Sequence, residues 1–262
     1  MLNNTLLVEN NIKKNIRTNF GKNAHNYSKH GTVQKELAQI LFKETSKQID
    51  ISSIATLLEI GCGTGFLSKH LVHNFKNTQH FISDLSIEMI EECRRNTFFT
   101  NSKYLVCDGE LLSFAEDTNF DLIIANMSFH WFQEFSKTIQ NLFKITNTLA
   151  FSIPIHGTFQ AWNQAHEDLG IKNRMIPLYS ISNLKKILLS NKPKKLSMKT
   201  IDLSTPVKSS IGFLQYLKLM GASTSTANFY TIPELRSLCK RVDSLFIDDI
   251  ANYKIAICIL QK

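Results

Sequence analysis

With 262 residues, 43% hydrophobic and 20% charged, the chain has an ordinary globular composition, a packed core is expected, and length allows one or two domains. Its longest apolar runs, Ile54–Ile60 and Asn252–Leu260, are strand-length and far below the ~20 residues that span a bilayer, so no membrane segment is expected. The formal net charge of +8 is unevenly placed: Lys13–Lys43 holds seven cations and one acid, Lys172–Lys218 ten cations and one acid, and Glu44–Ile171 between them eight cations against fifteen acids. The basic flanks are either solvated lysines or an electropositive face that steers an acidic partner.

The opening, MLNNTLLVENNIKKN, has no apolar core after a basic start, which argues against a secretory signal, and residues 1–12 read as a frayed tail. Five scattered cysteines with no CxxC and no ligand spacing point to reduced thiols, a cytoplasmic setting and no metal. From 13 to 49 the pattern is helical, with Val33, Leu37, Ile40 and Leu41 on one face. Strand and helix then alternate. Ile54–Ile60 reads as a strand covered on both faces, followed by a helix through Phe66, Leu67, His70 and Leu71. His80–Ser83 is a second strand, and Ser86 caps a helix through Met89, Ile90 and Cys93. Tyr104–Cys107, Asp121–Ala125 and Leu149–Ile153 are three more strands, the last preceded by a helix carrying Phe135, Ile139, Leu142 and Phe143.

Five strands separated by helices argue for a parallel, doubly wound α/β sheet. Beyond it, Thr158–Leu189 reads as helical, Ser190–Lys195 as a loop, Leu196–Leu203 as a strand, Ser209–Gly221 as a helix and Tyr253–Leu260 as a final strand. The expected organisation is a helical segment over 1–50, a Rossmann-like core over 51–155, and a helical lid over 156–262 whose strands complete a seven-stranded, mostly parallel sheet.

The residues that carry chemistry sit at strand ends. Glu59-Ile60-Gly61-Cys62-Gly63-Thr64-Gly65 closes the first strand and opens a helix, where a glycine turn lets a ligand approach the backbone. A dinucleotide fingerprint would be GxGxxG; here the glycines run GxGxG and Phe66 takes the third glycine's place. The acid Glu59 beside the turn suits a cationic or amine-bearing ligand better than a diphosphate. Asp84, at the end of the second strand, can accept two ribose hydroxyls, and Asp108, after the third, can receive an adenine amino group. Either aspartate taken singly is also an ordinary helix cap. The full order, with Leu85 beside Asp84, Gly109 beside Asp108 and Asn126 ending FDLIIAN, resembles the class I methyltransferases. That resemblance implies S-adenosylmethionine at Glu59, Gly61, Cys62, Gly63, Gly65, Asp84, Leu85, Asp108, Gly109 and Asn126.

In such folds the acceptor lies after the fourth strand, here Asn126-Met127-Ser128-Phe129-His130-Trp131. The absence of [DNS]PP[YF] argues against methylation of nucleobase amines, and no Pro-Cys pair suggests the covalent route to ring carbons. His130 is either a general base or a packing residue at a helix start; Trp131 packs against the nucleoside or the pocket wall. A closer likeness lies in Phe20, Ala24, Tyr27, Gly31 and Gln34, which resemble the FxxxAxxYxxxAxxQ opening of malonyl-acyl-carrier-protein O-methyltransferases of biotin synthesis, with Gly31 in place of Ala. The likeness continues in Asp84-Leu85-Ser86, in 126–131, in Asn173-Arg174, and in Leu217-Lys218-Leu219-Met220-Gly221-Ala222, similar to the family's LKxIGA helix.

The resemblance implies methyl transfer to the free carboxylate of a malonyl thioester on acyl carrier protein. A carboxylate, with an unperturbed pKa near ~4, is already ionised at neutral pH and needs no base. Alignment and exclusion of water then supply the catalysis. A guanidinium grips a carboxylate bidentately; Arg174 is the candidate, with a plain surface arginine as the alternative. Tyr27 either closes over the cofactor or packs in the core. Lys185, Lys186, Lys192, Lys194 and Lys195 are candidates to recruit the acidic carrier. The competing expectations are another small-molecule methyltransferase acting on a quinone, phenol or small acid; an RNA methyltransferase, whose binding would weaken steeply with salt; and a non-catalytic cofactor-binding protein.

Overall fold

The computed structural model describes residues 2–97, 101–112, 118–223, 230–245 and 250–262, with side chains from residue 12 onward. Seven strands, β1 (Thr56–Ile60), β2 (Gln79–Asp84), β3 (Ser102–Val106), β4 (Phe120–Asn126), β5 (Thr146–Pro154), β6 (Lys195–Ser204) and β7 (Asn252–Gln261), form one sheet in the order β3-β2-β1-β4-β5-β7-β6. The first five are mutually parallel, and β7 lies antiparallel between β5 and β6. This is the seven-stranded, mostly parallel arrangement expected from the sequence.

Side chains of a strand alternate between faces, and the core shows it. Leu57, Leu122 and Ile124 face one layer, where they meet Leu37 and Leu41 of α3 (Thr32–Ser46) and Leu67 and Leu71 of α4 (Phe66–Asn74). Leu58 and Ile123 face the other, against Ile139 and Leu142 of α6 (Phe135–Lys144) and Leu184 and Leu188 of α8 (Ile181–Leu189). Leu57, Leu58, Leu122, Ile123 and Ile124 of β1 and β4 and Leu37 and Leu41 of α3 are fully buried, each contributing about 1.5–3 kcal/mol. Both faces covered is why the parallel strands read as continuous apolar runs. The chain leaves β1 toward β2 and later returns to its other side with β4. The carboxyl ends of β1, β2 and β4 therefore surround a topological switch point, where such sheets bind ligands.

Four departures from the sequence reading are informative. Residues 2–22, read partly as a tail, form one helix, α1 (Leu2–Lys22). The single helix expected to 49 is three, because the chain turns between α1 and α2 (Ala24–His30) at Asn23 and again before α3 at Gly31. The helical reading of 158–189 is interrupted: α7 (Gln160–Leu169) stops at Gly170, whose φ of +62° is the left-handed helix stop that favours glycine, and α8 restarts only where Ser180 caps it with its hydroxyl. Finally, α10 (Ile232–Leu245) was not anticipated. Its start carries a capping box: the Thr231 Oγ1 accepts from the Glu234 N–H, and Glu234 Oε2 accepts from the Thr231 N–H at 2.7 Å.

α7, α9 (Ser210–Leu219) and α10 form a separate layer over the strand ends, joined through Trp162, Phe213, Tyr216, Leu238 and Val242. Among the described residues no helix is long and apolar enough to cross a membrane.

Candidate active site

The glycine turn follows from how closely β1 and β4 lie. Ser128, just past β4, donates from its hydroxyl to the Ile60 carbonyl at 3.0 Å. Gly61 has φ +72°, and a Cβ there would stand 2.5 Å from the Ser128 Cβ; only glycine avoids both the strain and the collision. The Gly63 N–H donates to Asp84 Oδ2 and the Ser86 N–H to Asp84 Oδ1, each at 2.9 Å. One carboxylate thus ties the turn to the start of α5 (Ile87–Thr97). Burial pushes the Asp84 carboxyl above its ordinary range, with these amides acting in the opposite direction.

Around this turn lies a cleft. Ile60, Gly61, Gly63, Asp84, Leu85, Cys107, Asp108, Gly109, Asn126 and Met127 line it from the strand ends. Lys13, Ile16, Arg17 and Phe20 of α1 roof it, with Tyr27 and Trp131 at the side. The Tyr27 ring stacks on Phe66 at 5.8 Å and meets Phe20 edge-on at 6.1 Å, and Phe20 in turn meets Trp131 edge-on at 5.4 Å. Burial raises the Tyr27 phenol above its usual value, so it is a neutral hydroxyl at pH 7. Asp108 carries an ion pair from Lys13, which also meets Glu110. Burial of Lys13 opposes its charge, but its hydrogen bonds to both carboxylates outweigh that and the ammonium pKa is raised. The acceptor expected for an adenine amino group thus holds an ammonium here.

Asn126 reaches the cleft, yet its amide is engaged in holding the fold: Nδ2 donates to the Gln34 carbonyl at 3.0 Å and Oδ1 accepts from the Ser152 hydroxyl at 2.8 Å. Met127 beside it is at φ +53°, an uncommon conformation for a residue with a side chain, of the kind found at functional sites. Its N–H donates to Ser152 Oγ at 3.0 Å.

Several sequence candidates stand elsewhere. Glu59 is 1% exposed and lies beneath the turn, where Oε2 accepts from the Ser68 hydroxyl of α4 at 2.6 Å. Burial drives its carboxyl well above the ordinary range, so it braces the turn instead of meeting a cationic ligand. Cys62 packs with Val72, Ile82, Ile90 and Cys93, and Gly65 begins α4; neither lines the cleft. His130 faces an adjoining cavity, and burial lowers its pKa to about 3, too low for a general base at neutral pH. Arg174 is also corrected. Its Nη1 and Nη2 meet Glu234 Oε2 and Oε1 at 3.1 and 3.2 Å, and the guanidinium lies 4.6 Å over the Tyr230 ring. The carboxylate it grips is the chain's own, in the lid.

The α1 residues of the roof were missed. Ile12, Ile16 and Phe20 recur every four residues, with Lys13 and Arg17 beside them; that stripe was the available signal.

A glycine turn with no room for a side chain, two acidic strand ends and a switch-point cleft together define a class I, S-adenosylmethionine-dependent methyltransferase. Residues 57–148 match the model of a methyltransferase domain. The crystal structure of magnesium protoporphyrin IX methyltransferase from Synechocystis PCC 6803 with bound SAH shares the fold, with a TM-score of 0.60 and 14% identity over 96% of this chain and all (100%) of that one. Malonyl-[acyl-carrier protein] O-methyltransferase of Priestia megaterium is 30% identical over 235 residues, covering 83% of this chain and 84% of the relative. That of Neorickettsia risticii is 23% identical, covering 82% and 84%. The chain belongs to the malonyl-acyl-carrier-protein O-methyltransferase family.

Proposed function

We propose that the enzyme methylates the free carboxylate of a malonyl group held as a thioester on an acidic acyl carrier protein, an early step of biotin synthesis. The observation that carries this reading beyond family membership is the state of His130. Among the described residues it is the one imidazole lining the cleft or its neighbouring cavity, and it is neutral with a pKa of about 3. A site without a working base suits an acceptor that is already an anion.

S-adenosylmethionine, when bound, supplies an electrophilic methyl group on a sulfonium sulfur. The backbone of Gly61 and Gly63 and the carboxylates of Asp84 and Asp108 would hold it, with Leu85 and Gly109 against it. Tyr27, Phe20 and Trp131 form an aromatic wall that keeps water from the reacting atoms. Aligning two bound groups in this way is worth up to about 7–11 kcal/mol. With Arg174 committed to Glu234, the cations on the cleft are Lys13, paired with Asp108 and Glu110, and Arg17, and of the two Arg17 is the candidate to attract the carboxylate. The five exposed lysines on and after α8, from Lys185 to Lys195, form the face offered to the carrier. All five cysteines are free, which fits a reducing, cytoplasmic setting.

The test uses methyl-labelled cofactor with malonyl, succinyl and glutaryl forms of both the carrier and coenzyme A. Label is expected preferentially as an ester on the malonyl carrier; label in RNA or in a free quinone or phenol would sink the reading. Reversing Lys185, Lys186, Lys192, Lys194 and Lys195 to glutamate should raise KM for the carrier at least about tenfold and flatten its salt dependence. Unchanged salt dependence would remove the lysines from the interface.

A further inference from the structure

A second cavity adjoins the cofactor cleft, and the two share Ile16, Trp131 and Phe132 as a common wall. It is bounded by Ile12 of α1, the turn 129–133, Ile153 and Pro154 at the end of β5, and the segment 176–179 that leads into α8. The segment is pinned where the His156 N–H donates to the Tyr179 carbonyl at 2.9 Å and the Tyr179 ring meets Phe135 at 5.0 Å.

Three features of this cavity constrain what fits. Among the described residues lining it there is no aspartate, glutamate, lysine or arginine; its polar side chains are His130, Gln133 and Tyr179. His130 Nδ1 is buried and has no hydrogen-bond partner among the described residues, and a buried polar atom without a partner is a site waiting for one. The helix that follows the wall, α8, exposes Lys185 and Lys186 to solvent.

We propose that this cavity receives the uncharged, amide-bearing thioester arm on which the carrier presents its malonyl group, with His130 among the neutral polar residues along its path. The inference rests on reading the acceptor as a carrier-bound thioester, and charge assigns the parts. An apolar cavity with a few neutral polar groups accepts methylenes, amides and a thioester, but a buried anion without a cation is costly. The malonyl carboxylate therefore passes beyond Trp131 and Phe132 into the cleft, and the phosphate at the arm's other end stays outside toward the lysines of α8. His130 serves as a positioning residue, orienting the arm without exchanging a proton with the acceptor.

The test takes the full chain saturated with S-adenosylhomocysteine and titrates S-acetyl-pantetheine, an uncharged thioester with the arm's amides but no malonyl carboxylate. Saturable binding is expected by calorimetry. Leu178→Phe and Ile176→Phe, which narrow the cavity, should each weaken it at least about tenfold. His130→Phe should weaken it about three- to tenfold, and His130→Asn should restore most of it. All four variants should keep wild-type affinity for S-adenosylhomocysteine, which reports intact folding. If both narrowed variants bind the thioester as the wild type does, or if hexanoate binds in its place, the arm does not lie here. The two readings separate cleanly. Wild-type protein that binds S-acetyl-pantetheine but leaves malonyl carrier unmethylated keeps the cavity assignment and loses the acceptor; protein that esterifies malonyl carrier with KM untouched by Leu178→Phe does the reverse.

Discussion

The strand tips that line the cleft and the layer of α7, α9 and α10 are held together by different forces. On the sheet side backbone bonds fix the residues at the strand tips: Asp84 is clamped by two amides, Ser128 donates to the Ile60 carbonyl, and the leucines below are fully buried. The lid layer packs on an apolar cluster of its own, Trp162, Phe213, Leu238 and Val242, to which the ion pairs Arg174–Glu234 and Arg241–Asp168 and the His166–Tyr230 ring contact add. Precise placement of a nucleoside needs the first kind of support, since a loose site loses binding and rate together.

The sheet side should break hardest. Gly61→Ala places a Cβ 2.5 Å from Ser128 at φ +72°, adding backbone strain of about 1–3 kcal/mol to a steric clash. Cofactor affinity measured by calorimetry should fall at least about a hundredfold; a loss below about threefold would mean the turn is not the binding element. Asp84→Asn keeps the shape but turns a charged acceptor into a neutral one, an interaction worth about 1.5–3 kcal/mol. Cofactor affinity should drop about ten- to a hundredfold while KM for the malonyl carrier stays within about twofold.

That contrast also decides what the sequence could disclose. Strand positions and the glycine turn were legible because a parallel sheet covered on both faces writes short apolar runs, and the turn at the tip of β1 needs glycine whatever the substrate. Glu59 was misjudged because its position beside the turn says nothing about which side of the strand it faces; Ser68, nine residues on, decides that. Arg174 was misjudged because its partner Glu234 is 60 residues away. The helix carrying Glu234 was signalled only by its capping box. The family pattern fared better at long range. A Cβ at Gly221 would lie 2.6 Å from the Asn19 carbonyl oxygen, so the motif ending α9 is small where it docks against the motif ending α1. The two departures also meet: a Cβ at Gly31 would lie 3.3 Å from Met220 Cε and 2.8 Å from the Phe66 ring. The smaller residue at 31 leaves room for the longer, unbranched side chain of Met220.

On the lid side effects should be smaller and should concern stability before chemistry. Arg174→Ala should lower Tm by roughly 2–4 °C, a small effect because the pair is partly exposed. The swap Arg174→Glu with Glu234→Arg should recover about half of that and most of kcat. If Arg174 instead gripped the substrate, the swap would recover Tm and leave the enzyme inactive. The pH sign follows from Glu234, which the Arg174 guanidinium and the Thr231 bonds hold down at a pKa of about 2. Its contribution is fully present above the usual carboxylate range, near 4.5, and is lost as pH falls through about 2. Acid titration of Tm should therefore be shallower in Arg174→Ala than in the wild type over that window.

The smallest expected effect is the most discriminating. Between pH 6 and 8 neither the acceptor nor His130 should change charge: the acceptor carboxylate is ionised above ~4, and His130 stays neutral down to about 3 because burial disfavours its cation. The kcat profile should thus vary less than about twofold across that range, and His130→Asn should leave it as flat. A limb near 6.5 that disappears in His130→Asn would mean that the imidazole meets water and protons during turnover. In that case the turn after β4 would be exchanging protons with the reaction, and the reading of a charge-silent site would not hold.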